Sequence, residues 1–200
     1  MSLRDNKKAQ TRAALRSAAL RLFRNKGFDR TTIDEIAAEA GVSRTTFFRY
    51  YPTKEAVVFD RSREIGEVFR RWISERPRNE NPLEAFEGSL LALARETRGD
   101  PNLAQESLAM EELFQRNPAL RKRQNELTQE QIALVAQALA DRDGRPVDAE
   151  HRLAAGIGLV VSQAVRDLWH ASRGAADVEA LLKEHFETIR ALTGAGGRAG

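Results

Sequence analysis

The 200-residue chain contains no cysteine, only six prolines and three histidines. Without cysteine there can be no disulfide, no thiolate metal ligand and no cysteine nucleophile. No apolar run approaches the roughly 18–20 residues that a membrane span needs, so we expect no membrane partner. The charged beginning of the chain, MSLRDNKKAQTR, also lacks the apolar stretch of a signal peptide. These absences favour a cytoplasmic protein.

Signals of catalysis and of metal binding are equally scarce. The three histidines are scattered, and none has a second ligand at metal spacing, so we expect no metal and no cofactor. Ser162, Asp167 and His170 share a predicted helix, but the sequence shows neither a nucleophile elbow nor an oxyanion donor. We therefore predict that the protein is not an enzyme.

Charge is unevenly distributed along the chain. Residues 1–60 contain 12 Lys and Arg against 7 Asp and Glu, whereas residues 61–200 contain 20 against 22. A basic beginning on a nearly neutral body suggests contact with a polyanion. A basic helix face that is merely solvated would give the same distribution.

Apolar residues recur at helical spacing, and no segment alternates convincingly with the period of a strand. Glycine, proline and capping residues divide the chain into about nine helices, which predicts an all-α fold. Three short helices precede a larger bundle, and the tail at 194–200 is predicted to be disordered. The longer helices are expected at 54–75, 83–98, 101–116, 118–141, 148–173 and 177–193.

Residues 31–58, TTIDEIAAEAGVSRTTFFRYYPTKEAVV, are the most informative stretch. Thr32 and Glu35 form a capping box at the start of one short helix, and Ser43 caps a second. Gly41 allows a tight turn between the two, which predicts a helix-turn-helix. The outer face of the second helix offers donors and apolar atoms of the kind that read base edges. Its residues are Arg44, Thr45, Thr46, Phe48, Arg49 and Tyr50.

Short helix pairs also occur in proteins that do not bind DNA. Here the two caps, the basic and aromatic outer face and the basic preceding helix occur together, which favours DNA binding. Double-stranded DNA is therefore the expected partner.

The segment GVSRTTFFRYYPTKEAVV also resembles the recognition-helix signature of the tetracycline-repressor (TetR) family, and the similarity extends over about residues 8–60. The resemblance implies an all-helical homodimeric repressor of palindromic operators. It implies a DNA-binding domain, here 1–53, and a domain for inducer binding and dimerisation, here 54–193.

Residue by residue, the resemblance implies that Thr46, Phe48, Tyr50 and Lys54 face the DNA, with Arg44 and Thr45 as neighbours. Two positions depart from the family's usual pattern. Thr45 stands where glycine is frequent, and Phe48 stands where tyrosine is frequent.

Two residues outside the recognition helix are further DNA candidates. Lys54 opens a predicted helix, where its ammonium and the first-turn amides could hold a phosphate. The alternative is an exposed lysine beside Glu55. Thr32 could present its hydroxyl or amide to the DNA backbone, or it could act only as a helix cap.

Bulky apolar residues of the C-terminal region could line a cavity between helices, although each of them could equally be a core residue. Aromatic side chains and a flexible methionine suit an apolar ligand, so we expect a hydrophobic small-molecule effector. The predicted ligand-binding residues are Phe69, Trp72, Phe86, Leu90, Met110, Phe114, Leu134 and Trp169.

Gly156 and Gly158 lie inside a predicted helix, where glycine costs stability unless something packs closely against it. The close neighbour could be a helix of a second copy or one of the same chain. With apolar positions of the last helix, the predicted dimer interface comprises Gly156, Gly158, Ser162, Leu182, Phe186 and Ile189.

These features together predict a homodimeric repressor that a lipophilic effector releases from operator DNA. The alternative is a constitutive DNA-binding protein whose C-terminal bundle only dimerises. A helical enzyme or an adaptor has no positive support in the sequence.

Overall fold

The computed structural model describes residues 3–194, apart from the side chains of residues 3–5, 61–65 and 102. In that part of the chain every regular element is an α-helix, which confirms the all-α prediction. Gly194 ends the last helix, and the remainder of the predicted tail lies outside the described residues. The helices are α1 (Leu3–Lys26), α2 (Ile33–Glu39), α3 (Arg44–Tyr50), α4 (Lys54–Val58), α5 (Asp60–Ser74), α6 (Pro82–Thr97), α7 (Pro101–Arg116), α8 (Pro118–Asp143), α9 (Ala149–Ala171) and α10 (Val178–Gly194).

Helix ends follow the glycine and capping signals of the sequence. At the end of α1 the amide of Gly27 donates to the carbonyl of Phe23 at 2.9 Å, and Gly27 has a φ of 87°. Glycine adopts this left-handed conformation without a side-chain clash. Asn81 caps α6 by accepting from the amide of Glu84 at 3.0 Å, and Asp148 caps α9 in the same way.

The helix predicted over 54–75 is two helices, α4 and α5, which are separated at Phe59. Phe59 has φ −95° and ψ 13°, although its amide still donates to the carbonyl of Glu55 at 3.2 Å. Its ring stacks on that of Phe114 with the centroids 5.9 Å apart. This long-range contact, rather than a glycine or a proline, accompanies the break. Because of the break, the described part of the chain contains ten helices instead of the predicted number of about nine.

The chain divides into two compact units. The first comprises Met1–Arg63 with Gln105–Gln124, and the second comprises Glu64–Ala104 with Asn125–Gly200. The first unit therefore contains α4 and much of α7 in addition to α1–α3. The functional division that we expect after residue 53 stays a prediction.

The core of the first unit is built on one stripe of α1. Aromatic and aliphatic residues of α2, α3 and α4 pack against that stripe, and so do residues 113–120 of α7 and α8. The stripe has the helical spacing of apolar residues that marks this chain as all-α, but the contribution of α7 and α8 has no counterpart in the sequence pattern. The buried members include Leu15, Ala18, Ala19, Phe23, Ile36, Phe47, Tyr51, Val57, Leu113, Phe114 and Leu120.

The second unit has its own core, mainly between α6, α9 and α10. The rings of Phe69 and Phe86 meet edge to face with centroids 5.3 Å apart. Gly158 of α9 is buried against Phe86, and a Cβ at Gly158 would collide with that ring. Close packing within the chain therefore accounts for this glycine.

Among the helices of the described region, none combines the length and the apolar character that crossing a membrane requires.

Candidate nucleic-acid interface

α2 and α3 form the predicted helix-turn-helix. The turn begins after the C-cap Ala40 of α2, passes through Gly41 with a φ of 67°, and is closed by a hydrogen bond from the amide of Val42 to the carbonyl of Ala37 at 2.9 Å. Ile36 and Ala37 bury the inner side of α2. The tight turn and the small buried residue together fix how α3 leaves α2.

The capping box at the start of α2 is present as predicted. The Thr32 hydroxyl accepts from the amide of Glu35 at 3.3 Å, and the Glu35 carboxylate accepts from the amide of Thr32 at 2.9 Å. Hydrogen bonds from Lys26 and then from Thr32 lower the pKa of Glu35 to about 2. Thr32 is exposed as well as capping, so its proposed contact with the DNA backbone is compatible with its role as a cap.

α3 presents the predicted recognition face. Ser43 caps this helix by accepting from the amide of Thr46 at 3.1 Å, and Phe47 is fully buried on its inner side. The inner face of α3 is anchored to the core, and the outer residues all lie on this one helix. Arg44, Thr45, Phe48 and Arg49 are exposed, while Thr46 and Tyr50 are partly buried.

Cations and aromatic rings alternate on this face. The guanidinium carbon of Arg44 lies 5.4 Å from the ring centroid of Phe48, and that of Arg49 lies 5.4 Å from the ring centroid of Tyr50. Arg44 also forms a 2.5 Å ion pair with Asp34, in which both side chains are more than half exposed. An exposed pair contributes only about 0–1 kcal/mol, so DNA could replace Asp34 at little cost.

Lys54 does not join the recognition face. Its ammonium donates to the carbonyls of Phe28 at 2.8 Å, Thr31 at 3.3 Å and Asp29 at 3.4 Å. It also lies 4.3 Å from the ring centroid of Phe28. A lysine has three donors, and all three point at the turn between α1 and α2. The structure thus shows a contact between Lys54 and this turn, and the phosphate contact that the sequence suggests stays a prediction.

A buried charged cluster, which the sequence analysis missed, lies behind α3. Asp60 is only 5% exposed and accepts two hydrogen bonds from Nε of Arg12, at 2.8 and 2.9 Å, and one from the Tyr51 hydroxyl at 2.7 Å. Arg12 belongs to α1, Tyr51 is the C-cap of α3, and Asp60 opens α5. Partners 48 residues apart in the chain leave no local signal by which they could have been found.

The eight predicted ligand-binding residues are divided between the two units. Phe69, Phe86 and Leu90 are core residues of the second unit, whereas Phe114 is buried in the first unit with Met110 packed against the same core. The remaining three differ in exposure: Leu134 is exposed, and Trp72 and Trp169 are partly buried.

A cavity of about 240 Å³ lies in the first unit, between the end of α1 and α7. Its lining includes Phe23, Phe28 and Leu113, but none of the eight predicted ligand-binding residues. Because ligand pockets usually measure about 300–1,000 Å³, we do not assign the effector to this cavity.

The predicted dimer residues also divide into two groups. Gly158, Leu182 and Phe186 are buried within the chain, at the core of the second unit. They have no surface to offer to another copy, which corrects the expectation for these three. Gly156, Ser162 and Ile189 are only partly buried, and a Cβ at Gly156 would meet nothing within 4 Å. These remain candidates for a dimer contact.

Comparison with known proteins identifies the class to which the fold and this helix-turn-helix belong. Residues 15–60 match the model of bacterial regulatory proteins of the tetR family, and residues 80–193 match that of the MftR C-terminal domain. The HTH-type transcriptional regulator TcmR of Streptomyces glaucescens is 33% identical over 184 residues, which cover 90% of this chain and 81% of TcmR. The chain belongs to the TetR family of transcriptional regulators, as the sequence resemblance predicts. Because these are regulators and not catalysts, the expectation that the protein is not an enzyme is confirmed.

Solved structures show the same fold. Thermus thermophilus FadR, a TetR-family transcriptional repressor in complex with lauroyl-CoA, is 28% identical, with a TM-score of 0.51 over 88% of this chain and 91% of that one. NalD of Pseudomonas aeruginosa, the secondary repressor of the MexAB-OprM multidrug efflux pump, is 20% identical, with a TM-score of 0.58 over 91% of this chain and 96% of NalD. The second similarity concerns the fold alone.

The contacts of Lys54 predict how its removal will act. Lys54→Met keeps much of the apolar stem but leaves three carbonyls without this donor, so we expect the free energy of unfolding to fall by about 1–3 kcal/mol. The slope of log affinity for DNA against log salt should stay unchanged, because the ammonium is already engaged. Chemical denaturation and salt titrations measure the two quantities.

Lys122→Met, at an exposed lysine of α8, is the matched control and should alter neither the stability nor the slope. If Lys54→Met instead keeps its stability and the slope falls by about 1, then Lys54 binds a phosphate.

Proposed function

We propose that this protein is a homodimeric repressor that binds palindromic operator DNA through α3 and is released by a lipophilic effector. The observation that carries the proposal is the exposed face of α3, whose inner side is anchored in the core of the first unit. The proposed place of action is the cytoplasm, where bacterial DNA lies. A constitutive DNA-binding dimer without an effector is the second candidate.

Each side chain of the recognition face suits a different part of the DNA. An arginine such as Arg44 can donate two hydrogen bonds to the O6 and N7 acceptors of guanine. Phe48, 44% exposed, offers an apolar surface to a thymine methyl group. Thr45 and Thr46 can bond to base edges or phosphates, and Arg49 can bond to phosphate. The hydroxyl of Thr46 lies 3.0 Å from that of Ser43, which orients it at the first turn of α3.

A DNA-binding experiment tests this assignment. Arg44→Ala should weaken binding to the DNA upstream of the protein's own gene by about 1–3 kcal/mol and relax the preference at one base pair. Folding stability should change by less than about 1 kcal/mol, because the ion pair with Asp34 is exposed. Titrations at fixed salt with this DNA and with an unrelated duplex measure both affinity and preference.

Arg70→Ala removes an exposed arginine of α5 that is paired with Glu67, and it should bind DNA like the wild type. Equal binding by the Arg44, Thr45 and Phe48 alanine variants and by the wild type would contradict the proposed surface.

A lipophilic effector is supported by a relative and by the interior of the second unit. The Thermus thermophilus FadR, 28% identical to this chain, is in complex with lauroyl-CoA. The second unit has an aromatic and aliphatic core that includes Phe69 of α5. Trp72 lies on the same helix as Phe69. The indole Nε1 of Trp72 is buried and has no hydrogen-bond partner among the described residues. Since a buried donor without an acceptor is costly, an acceptor on a ligand would stabilise it.

Lauroyl-CoA is the first effector to test. A coupling of about 1–3 kcal/mol would lower the affinity for operator DNA about 5- to 150-fold, and the DNA must then weaken lauroyl-CoA binding by the same factor. Quenching or enhancement of the fluorescence of Trp72 or Trp169 would report binding.

Free coenzyme A, which lacks the acyl chain, is the control ligand. Trp72→Phe should keep its affinity for DNA but respond more weakly to lauroyl-CoA. If acyl-CoA compounds, multidrug-type aromatics and other hydrophobic compounds all leave DNA affinity and fluorescence unchanged, the constitutive alternative is favoured.

The dimer contact that we propose lies on one exposed side of α9. Leu153 is 64% exposed and Val160 is 69% exposed, and both lie near Gly156 on the same helical face. On α10, Leu192 is 69% exposed. Exposed leucine and valine side chains at helical spacing are typical of a surface that another helix covers.

A charge on this face tests the proposed dimer. Val160→Glu should leave each chain folded, because the side chain is already in solvent, but it should shift the protein from dimer to monomer in analytical ultracentrifugation. DNA affinity should fall as well, since a monomer loses the contribution of the second half-site. Lys122→Glu, at an exposed position of α8, should remain dimeric. A wild-type protein that is monomeric at micromolar concentration would contradict the dimer.

A further inference from the structure

We propose that the cavity between the end of α1 and α7 is a binding site for a small aromatic carboxylate. The cavity measures about 240 Å³, and all the residues that line it belong to the first unit. The effector of the proposed function is sought in the interior of the second unit, so this is a further ligand site. The inference rests on the chemistry of the cavity and not on DNA binding.

The inner wall of the cavity is apolar and partly aromatic. The rings of Phe23 and Phe28 meet at an angle of 56° with their centroids 4.9 Å apart, and both residues are buried. Ala109 and the buried Leu113 add the apolar side of α7. An apolar cavity of about 150 Å³ is large enough to bind benzene. The larger volume here therefore accommodates one ring with a small substituent.

The outer part of the lining is charged, and cations outnumber carboxylates. The charged residues are Arg24, Lys26, Arg30 and Arg116 against Asp29 and Glu112. Lys26 is paired with Glu35, and Nε of Arg30 donates to the carbonyl of Lys26 at 2.7 Å. Arg24 and Arg116 are exposed and form no ion pair among the residues that the structure describes. Their guanidinium groups are therefore available to an anion.

Carbonyls at the two helix ends beside the cavity already have donors. The last carbonyls of a helix, when they are unpaired, favour a cation. At the end of α1 the carbonyl of Phe23 accepts from the amide of Gly27 at 2.9 Å. At the end of α7 the carbonyl of Leu113 accepts from the side-chain amide of Asn117 at 2.7 Å. The excess of cationic side chains therefore decides the sign of the ligand.

The two parts of the lining define one class of ligand. A guanidinium group binds a carboxylate through two parallel hydrogen bonds, and aromatic side chains favour edge-to-face or offset contact with a ring. A single ring that carries a carboxylate satisfies both parts at the size of this cavity. Drug-sized ligands need about 300–1,000 Å³, so an acyl-CoA compound is too large for it.

Binding of benzoate to the full chain tests the proposal. We expect saturable binding in isothermal titration calorimetry, with a dissociation constant of about 1 mM or less. The midpoint of thermal unfolding should rise with benzoate concentration, because a ligand that binds only the folded state stabilises it.

Three matched compounds separate the contributions of ring and charge. Benzyl alcohol has the ring without the charge, benzylamine has the ring with the opposite charge, and acetate has the carboxylate without the ring. Each should bind at least about tenfold more weakly than benzoate, because each lacks either the charge-assisted hydrogen bonds or the apolar contact. Benzylamine that binds as tightly as benzoate would overturn the assignment of an anion.

Substitutions in the lining locate the bound benzoate. Ala109→Leu places a larger apolar side chain in the cavity without lowering helix propensity much, and it should abolish binding. Arg24→Met combined with Arg116→Met should weaken benzoate at least about tenfold but leave the weak binding of benzyl alcohol unchanged. Both arginines are exposed, so this second variant should fold like the wild type. Lys122→Met, at an exposed lysine of the same unit outside the lining, is the matched control and should bind benzoate normally.

Two further results would overturn the proposal. One is the absence of saturable benzoate binding at millimolar concentration, and the other is wild-type binding by the variant that lacks both arginines. None of these measurements involves DNA, so this site and the proposed function can fail separately. A chain that binds benzoate but not the DNA upstream of its gene would contradict the proposed function alone.

Discussion

The buried carboxylate of Asp60 is the constraint on which the first unit depends. A charge removed from water must be compensated by partners at close range, and here Arg12 and Tyr51 supply them. Meeting this requirement joins the beginning of the chain, the end of the recognition helix and the start of α5. Asp60 directly follows the break at Phe59, and both of its partners lie outside its own helix.

Much of the fold could be predicted because its signals are local. The capping box at Thr32, the cap at Ser43 and the turn at Gly41 are all short-range patterns, and the structure contains them. The break at Phe59 could not be predicted, because it accompanies a ring contact with Phe114, 55 positions further along the chain. The Asp60 cluster could not be predicted for the same reason, because Arg12 and Asp60 lie 48 positions apart in the chain.

The candidate sites show a similar limit. The recognition face of α3 follows from helical periodicity, which decides what lies opposite the buried Phe47. Residue type alone could not decide which apolar side chains form a core and which remain for a ligand, so Phe86 and Phe114 were grouped although they belong to different cores. Likewise, two glycines two residues apart looked equivalent, yet of the two only Gly158 faces a ring of its own chain.

The net charge of the first 60 residues overstates how many of their cations are available to contact DNA. Arg12 is committed to the buried Asp60, and Lys54 is committed to the carbonyls of the turn that follows α1. If Arg12 left Asp60, a buried carboxylate would lose its cation, which costs more than an exposed ion pair contributes. Arg44 differs, because water already surrounds both members of its pair with Asp34. Arg12 and Lys54 thus help to hold the scaffold together, and the exposed side chains of α3 are the ones that we propose to read bases.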